Sequence, residues 1–105
     1  MFENTTSEMT TRDQIIEILR TFKTENAEKY GIESIALFGS VARGEHNENS
    51  DVDLFIKFKS PSLYLYAELS DALEPILGRK VDIVSASARK RPGFIEEISK
   101  DLIHL

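Results

Sequence analysis

FGSVARGEHNENSDVDLFIKF, residues 38–58, sets a glycine and a serine ten residues ahead of two aspartates that are themselves one residue apart. In its last part, DVDLFIKF, residues 51–58, Asp51, Asp53, Phe55 and Lys57 share one face of an extended strand. Val52, Leu54, Ile56 and Phe58 share the other, because successive side chains of a strand point to opposite sides. The second set is wholly apolar and is expected to face the core. The opposite side is then left to carry two carboxylates that point the same way.

Upstream, IESIALF, residues 32–38, is short, rich in apolar and β-branched residues and ends at a glycine, as a buried strand does. Residues 39–50 are turn-like, although SVARG has room for one helical turn. A helix is expected from Thr11, which with Gln14 has the form of a capping box; Ile15, Ile18, Leu19 and Phe22 follow at helical spacing, and Gly31 supplies a stop. Downstream, Ser60 and Pro61 predict a helix start, with Leu65, Leu69, Ala72, Leu73 and Ile76 as its apolar stripe and Pro75 expected to kink or end it. KVDIV, residues 80–84, predicts a third strand, and a last helix from about Pro92 would bury Ile95, Ile98 and Leu102.

The order helix, strand, strand, helix, strand, helix predicts an α+β fold: a small mixed β-sheet of three to four strands with helices packed mainly on one face. The loop between the first two strands is too short for a large crossover, so they are expected to pair antiparallel. The helix between the second and third allows a right-handed parallel connection. Residues 1–9 carry few apolar side chains and predict a loosely attached leader, leaving residues 10–105 as a single domain.

A chain of 105 residues supports one core but no separate substrate domain, so any large substrate has to be held by a partner or by an exposed face. No apolar run approaches the length of a membrane span, and MFENTTSEMTTRDQ lacks the basic start and apolar stretch of a secretory signal. With no cysteine there is neither a disulfide framework nor a thiolate metal site, and a cytoplasmic location is the default. The net charge of -5 argues against broad binding to nucleic acid, without excluding a local basic patch.

Asp51 and Asp53 would repel one another if left unpaired. A divalent cation removes the conflict, and Mg²⁺ in particular bridges carboxylates to substrate phosphates. Asp82, in the third strand, adds a third acid. Three acids converging at strand ends would form a platform for phosphoryl or nucleotidyl transfer, with two cations about 3.5–4 Å apart. Gly39 lets the backbone approach a ligand closely, and the Ser40 hydroxyl and neighbouring amides can donate to phosphate oxygens. Arg43 can reach a phosphate, or pair with Glu45 or Asp51. Each feature also has a plainer reading. A lone Asp-x-Asp is often a solvated strand edge, and Asp82 can cap its strand or pair with Lys80 or Arg79. His46 reads as a solvated loop residue and His104 as surface. Arg89, Lys90 and Arg91 read as a solvated basic run, with contact to triphosphate or RNA as the alternative, while Tyr64 and Tyr66 can complete the core, stack on a base or face a partner.

GSVARGEHNENSDVDLF resembles the signature of the nucleotidyltransferases of the DNA polymerase β superfamily: Gly-Ser, ten residues, then Asp-x-Asp. GRKVDIV, residues 78–84, is similar to the segment that carries that family's third carboxylate. The nearest subgroup is the minimal nucleotidyltransferases, MNT-domain antitoxins paired with a HEPN-domain toxin. The resemblance implies a polymerase β-like palm with Asp51, Asp53 and Asp82 as catalytic metal ligands for two Mg²⁺ ions. Asp82 would also help to deprotonate the attacking hydroxyl, Gly39 and Ser40 would hold the triphosphate of ATP, and Arg43 would lie nearby. It implies transfer of AMP to a tyrosine of the partner HEPN toxin, which silences it. The C-terminal stretch RPGFIEEISKDLIHL matches the family less clearly.

Three other functions are compatible with parts of this pattern. An aminoglycoside-type enzyme would act on a small molecule but carries an extra domain to enclose it. A non-catalytic antitoxin would inhibit by occlusion, against which the retained acids count. RNA tailing is disfavoured by the acidic balance and the lack of an RNA-binding domain.

Overall fold

A computed structural model describes residues 10–86 and 90–105; the expected leader, residues 1–9, and Arg89 of the basic run lie outside them. Helix α1, Arg12–Tyr30, begins at the capping box read from the sequence. The Gln14 amide donates to Thr11 Oγ1 at 3.2 Å and the Thr11 amide to Gln14 Oε1 at 2.8 Å, so two otherwise free helix-start amides are satisfied. The helix ends at Gly31, whose φ of 66° is the left-handed conformation that closes a helix most easily without a side chain. Its inner face buries Ile15, Leu19 and Phe22.

Strand β1, Ile32–Phe38, turns directly into the five-residue helix α2, Gly39–Arg43, and after a loop the chain enters β2, Val52–Phe58. Helix α3 spans Leu63–Leu77, β3 Val81–Ser85, α4 Phe94–Ser99 and β4 Ile103–His104. The sheet has the order β3-β2-β1-β4. β1 pairs antiparallel with β2 and with β4, while β2 and β3 are parallel, which makes the sheet mixed as expected. Val52, Leu54, Ile56 and Phe58 are all buried, in one cluster with Ile15 and Leu19 of α1 and Leu69, Leu73 and Leu77 of α3. This is the core, and its apolar burial is the main force closing helices onto sheet.

Four details differ from the sequence reading. Helix α3 starts at Leu63, with Ser62 rather than Ser60 as its cap: the Ser62 backbone is extended and its hydroxyl accepts from the Leu65 amide at 3.3 Å. Pro75 does not end the helix. Its missing amide frees only the carbonyl of exposed Asp71, while buried Leu77 anchors the last turn and the Gly78 amide bonds to the Glu74 carbonyl at 2.8 Å. The buried stripe follows steps of four, Leu69, Leu73 and Leu77, which leaves Ile76 half exposed. The last helix is short: Ile98 is buried, but Ile95 faces outward and Leu102 is only half-buried, because the chain leaves α4 to place Ile103 and His104 against Leu37 and Ala36 as a fourth strand.

Candidate active site

The register of the sheet fixes where the acids stand. Asp53 lies opposite Phe38 on β1 and beside Asp82 on β3, so these two carboxylates occupy neighbouring positions on the face away from the core. Asp51 precedes β2 by one residue, at the same end of the strand, two positions from Asp53. Phe38 shares that face, and the Phe94 ring of α4 packs edge-on against it with centroids 6.1 Å apart. The sheet therefore divides its labour. One side is filled by the core and the other carries acids and a small aromatic border.

Gly39 lies against Asp53. It adopts a φ of 79°, and a Cβ built there would overlap Asp53 Oδ2 and stand 3.0 Å from Asp53 Cγ. Only a residue without a side chain lets α2 begin so near a carboxylate. Ser40 follows in the first turn of α2, and Val41 and Ala42 behind it are buried and pin the turn to the core.

Electrostatically the site is loaded with negative charge. The Asp53 carboxyl is pushed up to about 6, first by burial and then by the facing charges of Asp82 and Asp51, with Arg43 opposing them. A cation among these carboxylates would offset the repulsion from Asp82 and Asp51 and stabilise the charged form of Asp53. Among the described residues, no group of three or more His, Cys, Asp or Glu side chains is placed to hold a metal ion by itself. The donor set is open: two adjacent strand carboxylates and a third at the strand entry. Such a set fits Mg²⁺, which retains water and takes oxygens from substrate phosphates.

Arg43 lies near enough to pull on Asp53, but its own bonds are made elsewhere. Nε donates to Glu45 Oε1 at 2.9 Å and Nη1 to Asp101 Oδ2 at 3.0 Å, and these hydrogen bonds, Glu45 first, hold its pKa above the usual arginine value. Pairing with Glu45 was expected; Asp101 was not, and Asp51 is not a partner. Asp101 stands 58 residues away in the turn between α4 and β4, and no local pattern announces it. His46 is half-buried rather than solvated, with Nε2 2.8 Å from the Thr10 carbonyl oxygen. His104 is exposed as expected, but as a strand residue. Among the described residues, no ion pair joins Asp82 to Lys80 or Arg79. Tyr66 completes the core edge-on to Phe58, whereas Tyr64 is largely exposed.

The family model of the nucleotidyltransferase domain matches residues 19–105. A Methanocaldococcus jannaschii chain named as a protein adenylyltransferase is 44% identical over 100 residues, covering 92% of this chain and 100% of the relative. Protein adenylyltransferase MntA of Thermococcus cleftensis is 38% identical over 98 residues, covering 92% and 98%. Among solved structures, a minimal nucleotidyltransferase superposes with a TM-score of 0.75 at 34% identity, covering 91% of this chain and 97% of its own. A chain from a toxin–antitoxin structure with AMP-PNP gives 0.64 at 25%, covering 90% and 72%. A chain from the complex of tri-AMPylated Shewanella oneidensis HEPN toxin with its MNT antitoxin gives 0.65 at 16%, covering 90% and 71%, a likeness of fold.

Proposed function

The chain belongs to the nucleotidyltransferase domain family and is an enzyme of that class, and on that premise we propose that it transfers AMP from ATP to a tyrosine hydroxyl of a HEPN toxin, silencing it. Residues 10–105 act as one domain in this reading, the reaction depends on Mg²⁺, and its place is the cytoplasm. No helix among the described residues is long and apolar enough to cross a membrane. The names of the relatives support AMP transfer to protein, and the toxin–antitoxin structures, one with AMP-PNP, support the partner and the nucleotide.

The observation that carries the proposal is the meeting of Asp53, Asp82 and Gly39. Two acids stand side by side in the sheet, the nearer one resists ionisation, and the backbone of Gly39 presses against it. Asp51, Asp53 and Asp82 would hold the two Mg²⁺ ions. When bound, these would offset the negative charge of triphosphate and carboxylates alike. Gly39 and Ser40 would seat the triphosphate, with Arg43 at its flank. The acceptor oxygen attacks the α-phosphorus, the bond to the β-phosphate oxygen breaks and pyrophosphate leaves. Asp82 accepts the hydroxyl proton.

The test is transfer of label from α-phosphate-labelled ATP to the partner toxin, read by mass spectrometry as added AMP on tyrosine. Asp53→Asn and Asp51→Asn are each expected to abolish it while leaving the fold intact; full transfer by either variant would remove these residues from the site. A second reading has one specific support: Leu63 and Tyr64 at the start of α3 are 85% and 72% exposed, as befits a surface that inhibits simply by binding. Stoichiometric inhibition of the toxin without ATP would favour it.

A further inference from the structure

The strand ladder fixes Asp53 and Asp82, but Asp51 stands outside β2, at the end of the loop that leaves α2. That loop closes on itself just before Asp51. The Ser50 amide donates to the Asn47 carbonyl at 3.2 Å, the Asn47 amide to Ser50 Oγ at 2.9 Å and the Asn49 amide to Asn47 Oδ1 at 2.8 Å. Three amides of the turn are thus satisfied within it. Two of its carbonyls accept from a residue on the far side of α3. Arg79 Nη1 donates to the carbonyl of Asn47 at 2.7 Å and to that of Ser50 at 2.9 Å, across 32 and 29 positions of chain. On the other side of Asp51, the Val52 amide donates to the Lys80 carbonyl at 2.9 Å. Asp51 is therefore gripped on both flanks by the segment that leads into Asp82. Arg79 Nε is buried without a hydrogen-bond partner among the described residues, a cost accepted while Nη1 reaches both carbonyls.

We infer that Arg79 is a positioning residue: its guanidinium fixes the Asn47–Ser50 turn and so sets where the Asp51 carboxylate stands relative to Asp53 and Asp82. The inference rests on the reading of those acids as the metal-binding site. Arginine suits the task by reach as well as by charge. A lysine nitrogen would fall short of the Nη1 position by about one C–N bond, roughly 1.3 Å, and would bond to the two carbonyls less well.

The test compares wild type with Arg79→Ala and Arg79→Lys. Mn²⁺ is titrated alone, without nucleotide, and AMP transfer is followed separately. A group that orients a metal ligand from outside is expected to weaken Mn²⁺ binding by about tenfold when removed, with the melting temperature little changed. In the transfer assay kcat is expected to fall while KM for ATP stays within about twofold, and added guanidinium should restore part of the kcat lost in Arg79→Ala. The inference is overturned if a folded variant binds Mn²⁺ and turns over as wild type does. It is equally overturned if the loss is explained wholly by a smaller folded fraction. Should Arg79→Ala fail to fold, the same criteria applied to Arg79→Lys decide. If wild type transfers no AMP at all, the proposed function fails, and the Mn²⁺ titration still decides the role of Arg79.

Discussion

Alanine at position 39 would drive its methyl group onto the Asp53 carboxylate and hold an L-residue at a φ of 79°. The left-handed backbone alone costs about 1–2 kcal/mol, and the overlap adds to it by moving Asp53 or α2. Gly39→Ala is expected to lower the melting temperature and to reduce AMP transfer by about a hundredfold, since small displacements at a reacting centre are amplified in rate; calorimetry and the transfer assay check the two effects separately. Asp53 carries a pH dependence of known sign. Its folded pKa of about 6 lies above the ordinary 3.8, so the folded state holds this proton more tightly than the unfolded chain. The stability it lends is full below 3.8 and is lost as pH rises through about 6. In EDTA, wild-type protein should therefore lose melting temperature over that window more steeply than Asp53→Asn, by a margin kept modest by the half-exposed side chain; scanning calorimetry at stepped pH reads the difference. That Asp53 and Asp82 stand side by side on the face away from the core was legible, because strand alternation acts locally and the sheet order followed from the connections. Of the partners of Arg43, Glu45 was legible and Asp101 was not, because Asp101 reaches it only through the folded C-terminal turn.

The boundaries of α1 were legible because caps declared them. Thr11 with Gln14 and Gly31 mark both ends of α1, and the structure keeps them. Thr11→Ala removes the acceptor for the Gln14 amide and is expected to cost about 1 kcal/mol in urea unfolding, with AMP transfer unchanged because Thr11 touches none of the acids. In α3 the same kind of signal misled: Ser60 and Ser62 both precede good helix residues, and tertiary packing of Leu69, Leu73 and Leu77 selected the later start and the face. Strand β4 was hidden altogether. Two residues have no periodicity, and their conformation is decided by the free edge of β1 that they cover.

Across the whole molecule, that small strand has a large duty. It makes two register pairs with β1, and the following Leu105 amide donates to the Ile35 carbonyl at 2.9 Å. A chain cut before Ile103 is expected to expose the β1 edge and to self-associate with rising concentration, as uncovered edges do; light scattering against concentration measures it, and a monodisperse monomer would show that the edge needs no cover. The overall architecture was legible because β2 alone states both requirements, apolar residues for the core and acids for the other face. That division also acts as a quality check on folding. A one-residue slip of β2 would bury Asp53 and expel Leu54 at once, so an error of that kind removes core burial and displaces the acid face together. Chains slipped by one residue lose the core burial that would keep them folded, so they do not persist as folded molecules with a displaced acid face.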